Sequence, residues 1–80
     1  MPSLRIQYFA VLREQAGFSE EVRETAASTP AELYEEVRGA HGFTLPRSML
    51  RVAVNDEFCD WSHRLQPGDR VVFIPPVAGG

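Results

Sequence analysis

Alternating apolar and polar positions open this 80-residue chain and predict a strand. The strand covers Leu4 to Phe9, and its apolar face consists of Leu4, Ile6 and Tyr8. Good helix formers follow from Ala10 to Ala16, which predicts one or two helical turns ending at Gly17. A second strand is predicted from Glu20 to Ala26, and its many acidic residues favour a position at the edge of the sheet.

The clearest element is a helix from Pro30 to His41. Thr29 is suited to the N-cap, and Glu32 three residues later completes a capping box, while Gly42 supplies a C-terminal stop. Apolar residues at helical spacing predict the buried face of this helix: Leu33, Tyr34, Val37 and Ala40.

The C-terminal half of the chain contains three predicted strands separated by turns. Leu50 to Val54 alternates and is followed by a turn at Asn55-Asp56 and a short return strand from Glu57 to Trp61. Pro67-Gly68 is typical of a type II turn. The last strand, Arg70 to Ile74, is almost continuously apolar, which predicts a central position with both faces buried.

This order of elements predicts an α+β fold in which one main helix covers one face of a mixed sheet of four to five strands. Apolar first and last strands are expected side by side in the middle of the sheet. That arrangement is the β-grasp, or ubiquitin-like, fold. We expect the folded domain to comprise residues 1–74 and an extended tail to comprise residues 75–80.

Composition excludes several classes of function. The length allows a single domain, and the formal net charge is −3. The eight basic residues are all arginines spread along the sequence, so we expect no nucleic-acid partner and no lysine that could accept an isopeptide bond. Apolar runs are far shorter than the roughly 20 residues of a membrane helix. The N-terminus does not resemble a signal peptide, so the expected location is the cytoplasm.

The side chains do not form a recognisable catalytic pattern. His41 and His63 are 22 positions apart and lack a metal-ligand pattern, so no metal site is expected. Cys59 is the only cysteine, which excludes an internal disulfide, and we expect it to be a small buried hydrophobic residue. We therefore expect no self-contained active site.

The tail Pro75-Pro76-Val77-Ala78-Gly79-Gly80 offers the main-chain carboxylate of Gly80 as a reactive group. Two glycines without side chains can enter a slot too narrow for a Cβ atom. At about 3.3 Å per extended residue, the six residues reach about 20 Å. Such a carboxylate needs activation, most simply by ATP as an acyl-adenylate, before it accepts sulfur or an amine. The alternative is a frayed tail without a function.

The sequence resembles the MoaD family, the small sulfur-carrier subunits of molybdopterin synthase. The resemblance covers nearly the whole chain and is most specific in its last segment, Phe73 to Gly80. It is also carried by Ile6-Gln7-Tyr8-Phe9-Ala10 with Leu12-Arg13-Glu14, by Ala53-Val54-Asn55, and by Leu65 with Pro67-Gly68-Asp69.

This resemblance implies a reaction cycle completed by other proteins. A ubiquitin-activating-enzyme-like adenylyltransferase would use ATP to adenylate Gly80, and a sulfurtransferase would supply the sulfur that makes a thiocarboxylate. The tail would insert into the large synthase subunit, within a heterotetramer, and donate sulfur to cyclic pyranopterin monophosphate. The chain would be an enzyme only as this carrier subunit and would bind no cofactor itself. Phe9 and Ile74 are candidate docking contacts, with core packing as the alternative.

Other functions remain open at this point. Carriers for thiamine biosynthesis share the fold and the Gly-Gly end but are usually shorter and normally lack Pro75-Pro76. A carrier for cysteine biosynthesis can also end in Ala-Gly-Gly. A ubiquitin-like modifier would instead form an amide with a lysine of another protein, and an interaction module would have an inert tail.

Overall fold

The computed structural model describes residues 2–76, which form five strands, two α-helices and a short 3-10 helix. The strands are β1 (Ser3–Tyr8), β2 (Glu20–Glu24), β3 (Arg51–Val54), β4 (Glu57–Phe58) and β5 (Arg70–Ile74). The helices are α1 (Ala10–Ala16), α2 (Pro30–His41) and the 3-10 helix Arg47–Met49. Strand order in the sheet is β2-β1-β5-β3-β4. β1 and β5 are parallel, and the other pairs are antiparallel, which confirms the predicted mixed sheet.

The core lies on one face of this sheet, beneath the helices. Alternate residues of the strands point into it because successive side chains of a strand face opposite sides. The fully buried side chains of the strands and helices are Leu4, Ile6, Tyr8, Leu12, Pro30, Leu33, Tyr34, Val37, Val52, Val71 and Phe73. β5 occupies the middle of the sheet, and its residues Val71 to Phe73 are buried, as its apolar sequence predicts.

Two predictions about the buried elements are wrong. Ala40 is exposed, because the chain reverses at Gly42 and brings Phe43 into the core at this end of α2. The return strand stops at Phe58 instead of continuing to Trp61. Trp61 leaves the sheet and stacks on Phe73, with 5.9 Å between ring centroids and 8° between ring planes.

The predicted edge position of β2 is confirmed, and α2 anchors the end of this strand. Glu36 of α2 accepts hydrogen bonds from Arg23 Nε at 2.6 Å and from Thr25 Oγ1 at 2.7 Å. The Arg23 guanidinium holds the pKa of Glu36 below its usual value. Thr25 is buried and also accepts a hydrogen bond from Ala27 N at 3.0 Å. β2 therefore ends at Glu24, two residues earlier than the pattern predicts, and the chain turns from Thr25 onward.

The start of α2 follows the predicted capping box with one shift. Thr29 Oγ1 accepts a hydrogen bond from Glu32 N at 3.2 Å, as expected for an N-cap. Glu32 Oε1 accepts a hydrogen bond from Ser28 N at 2.8 Å, so the second bond of the box is made with the residue before the N-cap. These contacts hold the pKa of Glu32 below its usual value. The helix start is thus determined by three polar residues, Ser28, Thr29 and Glu32.

Two glycines at the end of α2 give a matched test of the predicted helix stop. Gly42 has φ +72°, and its N–H donates to Arg38 O at 2.8 Å, whereas Gly39 lies inside the helix. Neither has an atom within 4 Å of an added Cβ, so backbone conformation decides the outcome. We expect Gly42→Ala to destabilise the fold by about 1 kcal/mol. We expect Gly39→Ala to stabilise it by up to about 1 kcal/mol. Urea unfolding of both variants measures the difference, and shifts of the same sign would contradict this account of the helix end.

The two predicted turns are joined to each other beside the start of β5. Asn55 and Asp56 have φ of +52° and +70°, as in the two-residue turns that suit tight hairpins. Asn55 Nδ2 donates to Asp69 Oδ1 at 2.9 Å, and Asn55 Oδ1 accepts from Arg70 N at 3.0 Å. Gly68 has φ +84°, consistent with the predicted type II turn. These hydrogen bonds fix the point at which β5 enters the sheet.

Candidate functional site

The base of the C-terminal tail emerges from the centre of the sheet. β5 is paired with β1 on one side and with β3 on the other. Immediately after this strand Pro75 is buried and Pro76 is exposed. The predicted tail residues Val77, Ala78, Gly79 and Gly80 lie outside the described residues. The strand that leads into the tail is therefore held by hydrogen bonds along both of its edges.

The side of the sheet opposite α2, called the outer face here, carries both predicted docking residues near this point. Arg51 of β3 is the cross-strand partner of Ile74. Tyr8 and Phe73 are the last pair of the β1–β5 ladder, and Phe9 and Ile74 follow these two residues directly in the chain. Phe9 is 40% exposed, Ile74 is half-buried, and neither belongs to the core cluster. Both side chains are accessible beside the tail base, and their role in docking stays a prediction.

A second row of residues extends the apolar surface across the sheet. Val72 pairs with Gln7 on β1 and with Ala53 on β3, and Ala53 in turn pairs with Phe58 on β4. Phe58 is 60% exposed, and the Arg51 guanidinium lies 4.1 Å from the centroid of its ring. With the residues beside the tail base, these form a set on the outer face that we call the outer patch: Phe9, Ile74, Val72, Ala53 and Phe58. Val72 and Ala53 are each only 7% exposed, so the accessible part of the patch consists of Phe9, Ile74 and Phe58.

Three residues of the outer patch, Val72, Ala53 and Phe58, are not among the sequence-predicted site residues. The alternation of the third strand does place Ala53 opposite the core residues Val52 and Val54. The two-residue turn at Asn55-Asp56 then determines that Phe58 pairs with Ala53. The pairing of β3 with β5, which completes the patch, has no local signal in the sequence.

A third row, further from the tail, brings arginines of different strands together. Arg5 pairs with Arg70 on β5 and with Val22 on β2. Arg70 contacts Asp56 Oδ1 at 3.3 Å and donates a hydrogen bond to Gln7. The arginines are scattered in the sequence, but three of them lie on the outer face of the three central strands: Arg5 on β1, Arg51 on β3 and Arg70 on β5.

The sequence and fold of this chain match those of known proteins. Residues 6–80 match the sequence pattern of the ThiS family. The chain belongs to the ThiS family. It is 33% identical to the molybdopterin synthase sulfur carrier subunit of Homo sapiens, over 96% of this chain and 93% of that protein. The protein of the same name from Escherichia coli (strain K12) is also 33% identical, over 96% of this chain and 99% of its own.

A solved structure matches the fold. The crystal structure of SAMP1 from Haloferax volcanii has a TM-score of 0.81 at 25% identity, and the match covers 98% of this chain and 99% of that one. The predicted β-grasp fold and the resemblance to the MoaD family are thereby confirmed. This ThiS family member is a ubiquitin-like protein of the sulfur-carrier type.

In this ThiS family member, the other potentially reactive side chains follow β4 or lie at the end of α2. Cys59 and His63 line an open cleft of about 330 Å³ together with Val54, Asn55, Glu57 and Phe58. Cys59 is half-buried against the core, and burial, with a smaller effect of Asp60, raises the pKa of its thiol. A raised pKa disfavours the nucleophilic thiolate. The prediction that Cys59 is a small buried hydrophobic residue is met only in part, since the side chain packs against the core but is half-buried.

His41 lies at the last residue of α2, where a positive charge is favourable. Its Nε2 atom is 3.2 Å from Glu21 Oε1, and Tyr8 OH donates to the same oxygen at 2.8 Å.

Among residues 2–76, no group of three or more histidine, cysteine or acidic side chains is arranged to hold a metal ion. The helices of this part of the chain are also too short or too polar to cross a membrane.

Proposed function

We propose that this chain is the sulfur-carrier subunit of a molybdopterin synthase and that the carboxylate of Gly80 is its reactive group. The observation that supports this most directly is the position of β5. This strand is paired on both sides and leads into the tail beside the accessible Phe9 and Ile74. A rigid base next to a docking surface lowers the entropy that is lost when a tail enters a partner. The names of the human and bacterial relatives point to the same role.

The proposed cycle uses the main chain and not a side chain. A ubiquitin-activating-enzyme-like adenylyltransferase joins the Gly80 carboxylate to AMP from ATP and releases pyrophosphate. A sulfurtransferase provides sulfur at the oxidation level of sulfide, which displaces AMP and leaves a thiocarboxylate. This soft nucleophile forms a carbon–sulfur bond at an oxygen-bearing carbon of cyclic pyranopterin monophosphate as the carbon–oxygen bond breaks. Hydrolysis of the resulting thioester leaves a thiol on the pterin and restores the carboxylate. Two such donations build the dithiolene, and the use of ATP is consistent with a cytoplasmic location.

The large synthase subunit is the proposed partner during sulfur donation. Phe9 and Ile74 lie where a partner that accepts the tail must contact the domain, so we propose them as docking contacts. Apolar side chains at the centre of an interface commonly contribute most of its binding free energy. We further propose a heterotetramer in which two large subunits each bind one carrier.

Intact mass spectrometry tests the proposal directly. The protein is incubated with its adenylyltransferase, ATP and a sulfur donor, and a second sample lacks ATP. We expect the first sample to gain the mass difference that replaces one oxygen by sulfur, located at the C-terminus by fragmentation. An unchanged mass in the presence of an adenylyltransferase that is active on another carrier would contradict the proposal.

A second candidate function is protein modification. It is favoured by the likeness to SAMP1, the small archaeal modifier protein 1 of Haloferax volcanii. A modifier would form an amide between Gly80 and a lysine of another protein. This chain has no lysine, so it offers no side-chain site for chains of linked copies. Trypsin cleaves last after Arg70, so digestion of cellular conjugates should leave the segment from Val71 to Gly80 attached to lysines of other proteins if it is a modifier, and no such remnant if it is only a carrier.

The receiving pathway can be tested with the same thiocarboxylated protein. It is supplied separately to the molybdopterin synthase large subunit and to the acceptor enzymes of thiamine and cysteine biosynthesis. We expect sulfur transfer with the synthase subunit. Product with only one of the other acceptors would assign the carrier to that pathway instead.

A further inference from the structure

Arg51 occupies a special position on the outer face because it is the cross-strand partner of the last residue of β5. Its partner Ile74 is followed directly by the base of the tail. A protein that accepts the tail must therefore come close to Arg51. The side chain is exposed and forms no ion pair within residues 2–76. Its positive charge is available to a partner on the described part of the surface.

The Arg51 side chain is also held in place by Phe58. The guanidinium carbon lies 4.1 Å from the centroid of the Phe58 ring, which is a close cation–π contact. An arginine stacked on an aromatic ring keeps its N–H donors at the edge of the guanidinium plane. Those donors can then form two parallel hydrogen bonds with a carboxylate at a lower entropic cost than a mobile side chain.

The distribution of charge around the outer patch favours an acidic partner surface. The whole chain has a net charge of −3, and therefore −6 without the three arginines of the outer face. Arg70 is partly neutralised by Asp56, while Arg5 and Arg51 have no ion pair within the described residues. The acidic Glu20 and Glu24 are on β2, three strand spacings or about 14 Å from β3, which exceeds the screening length of about 8 Å at physiological salt.

We propose that Arg51 is a specificity-determining residue that binds a carboxylate on the large subunit of molybdopterin synthase, at the rim of the outer patch. This inference rests on the proposed function. We assign the large subunit as the partner because the subunits of one synthase stay associated. A stable complex is also best suited to bury Phe9 and Phe58, which are both more than a third exposed. The carboxylate opposite Arg51 aligns the docked domain so that the tail points into the acceptor slot.

The test compares two charge reversals with the same effect on net charge. Arg51→Glu reverses the charge on the outer patch. Arg64→Glu is the control, because Arg64 is exposed beside Leu65, whose N–H donates to Ser28 O near the start of α2. Binding of each full-length variant to the purified large subunit is measured by titration calorimetry at low and high salt. Thermal unfolding of each carrier variant verifies that it is folded.

We expect Arg51→Glu to weaken binding by about tenfold or more and Arg64→Glu by less than about twofold. Arg51→Lys keeps the charge but loses the paired N–H donors and the stacked plane, so it should bind more weakly than the unmodified chain and more tightly than Arg51→Glu. The salt dependence of binding should be smaller for Arg51→Glu than for the unmodified chain.

The outcomes separate this inference from the function on which it rests. Equal binding of Arg51→Glu and Arg64→Glu would overturn the role of Arg51 and leave the proposed function intact. A loss confined to binding of the adenylyltransferase would assign the surface to that partner and also overturn the inference. If the unmodified chain does not bind the large subunit, the proposed function and the inference are both wrong.

Discussion

Deletion of Gly80, or addition of one residue after it, is expected to abolish sulfur transfer without lowering the stability of the domain. The proposed reactive atom is the terminal carboxyl carbon, and both changes move it relative to the docked domain. One extended residue spans about 3.3 Å, and a displacement of 1 Å at a reacting atom can reduce a rate by about a hundredfold. Molybdopterin synthesis by the reconstituted synthase is the readout for activity.

Stability should not change, because the core is built from residues well before the tail. The last fully buried core side chain is Phe73, and the sheet ends at Ile74. Thermal unfolding of the deleted and extended variants should therefore match that of the unmodified chain. Gly39→Ala is the control, because it also alters a glycine but lies on α2, and it should keep full activity. Molybdopterin synthesis by the Gly80-deleted variant would show that the terminal carboxylate is not the working group.

The sequence predicts the elements of this fold well where the signal is local. The limits of α2 depend on Thr29, Glu32 and Gly42, which act within a few residues of the helix ends, and these limits are confirmed. α1 likewise ends at Gly17, which has φ +90°. The apolar run of β5 indicates burial on both faces, and that is sufficient to predict a central strand.

The errors arise where tertiary packing decides the structure. Ala40 has the correct helical spacing for the core but is exposed, and Phe43 from the turn after α2 is buried at this end of the helix. β4 is shorter than predicted, and the ring of Trp61 stacks on Phe73 instead of continuing the edge strand. Local periodicity does not determine packing of this kind.

The candidate site, too, is predicted from the sequence only where the signal is local. The tail and its reactive carboxylate are predicted from the sequence because a Gly-Gly segment after a proline pair is a local pattern. The outer patch is only partly predicted, since Phe58 and Arg51 approach Ile74 through the pairing of β3 with both β4 and β5. Strand pairing of this kind is a property of the whole sheet, and local periodicity does not determine it.

Adjacent residues of β5 should separate stability from docking, which gives the second large effect. Phe73 is fully buried, with its ring centroid 5.1 Å from that of Tyr34, whereas Ile74 is half-buried on the outer face. Phe73→Ala removes a ring from the centre of the core and should cost about 3–5 kcal/mol of unfolding free energy. A small domain has only about 5–15 kcal/mol in total, so this variant should be close to unfolding.

Ile74→Ala should have the opposite profile, because its side chain contributes little to the core and lies beside the tail base. We expect it to lower the unfolding free energy by less than about 2 kcal/mol. Its affinity for the large synthase subunit should fall by about tenfold or more, as for a central interface residue. Urea unfolding and titration calorimetry measure the two effects on the same preparations, with Val22→Ala on β2 as an exposed apolar control. Unchanged affinity for Ile74→Ala would remove it from the docking surface. The division of domain stability and partner recognition between the two faces of β5 would then be wrong, and partner recognition would have to lie on another part of the sheet.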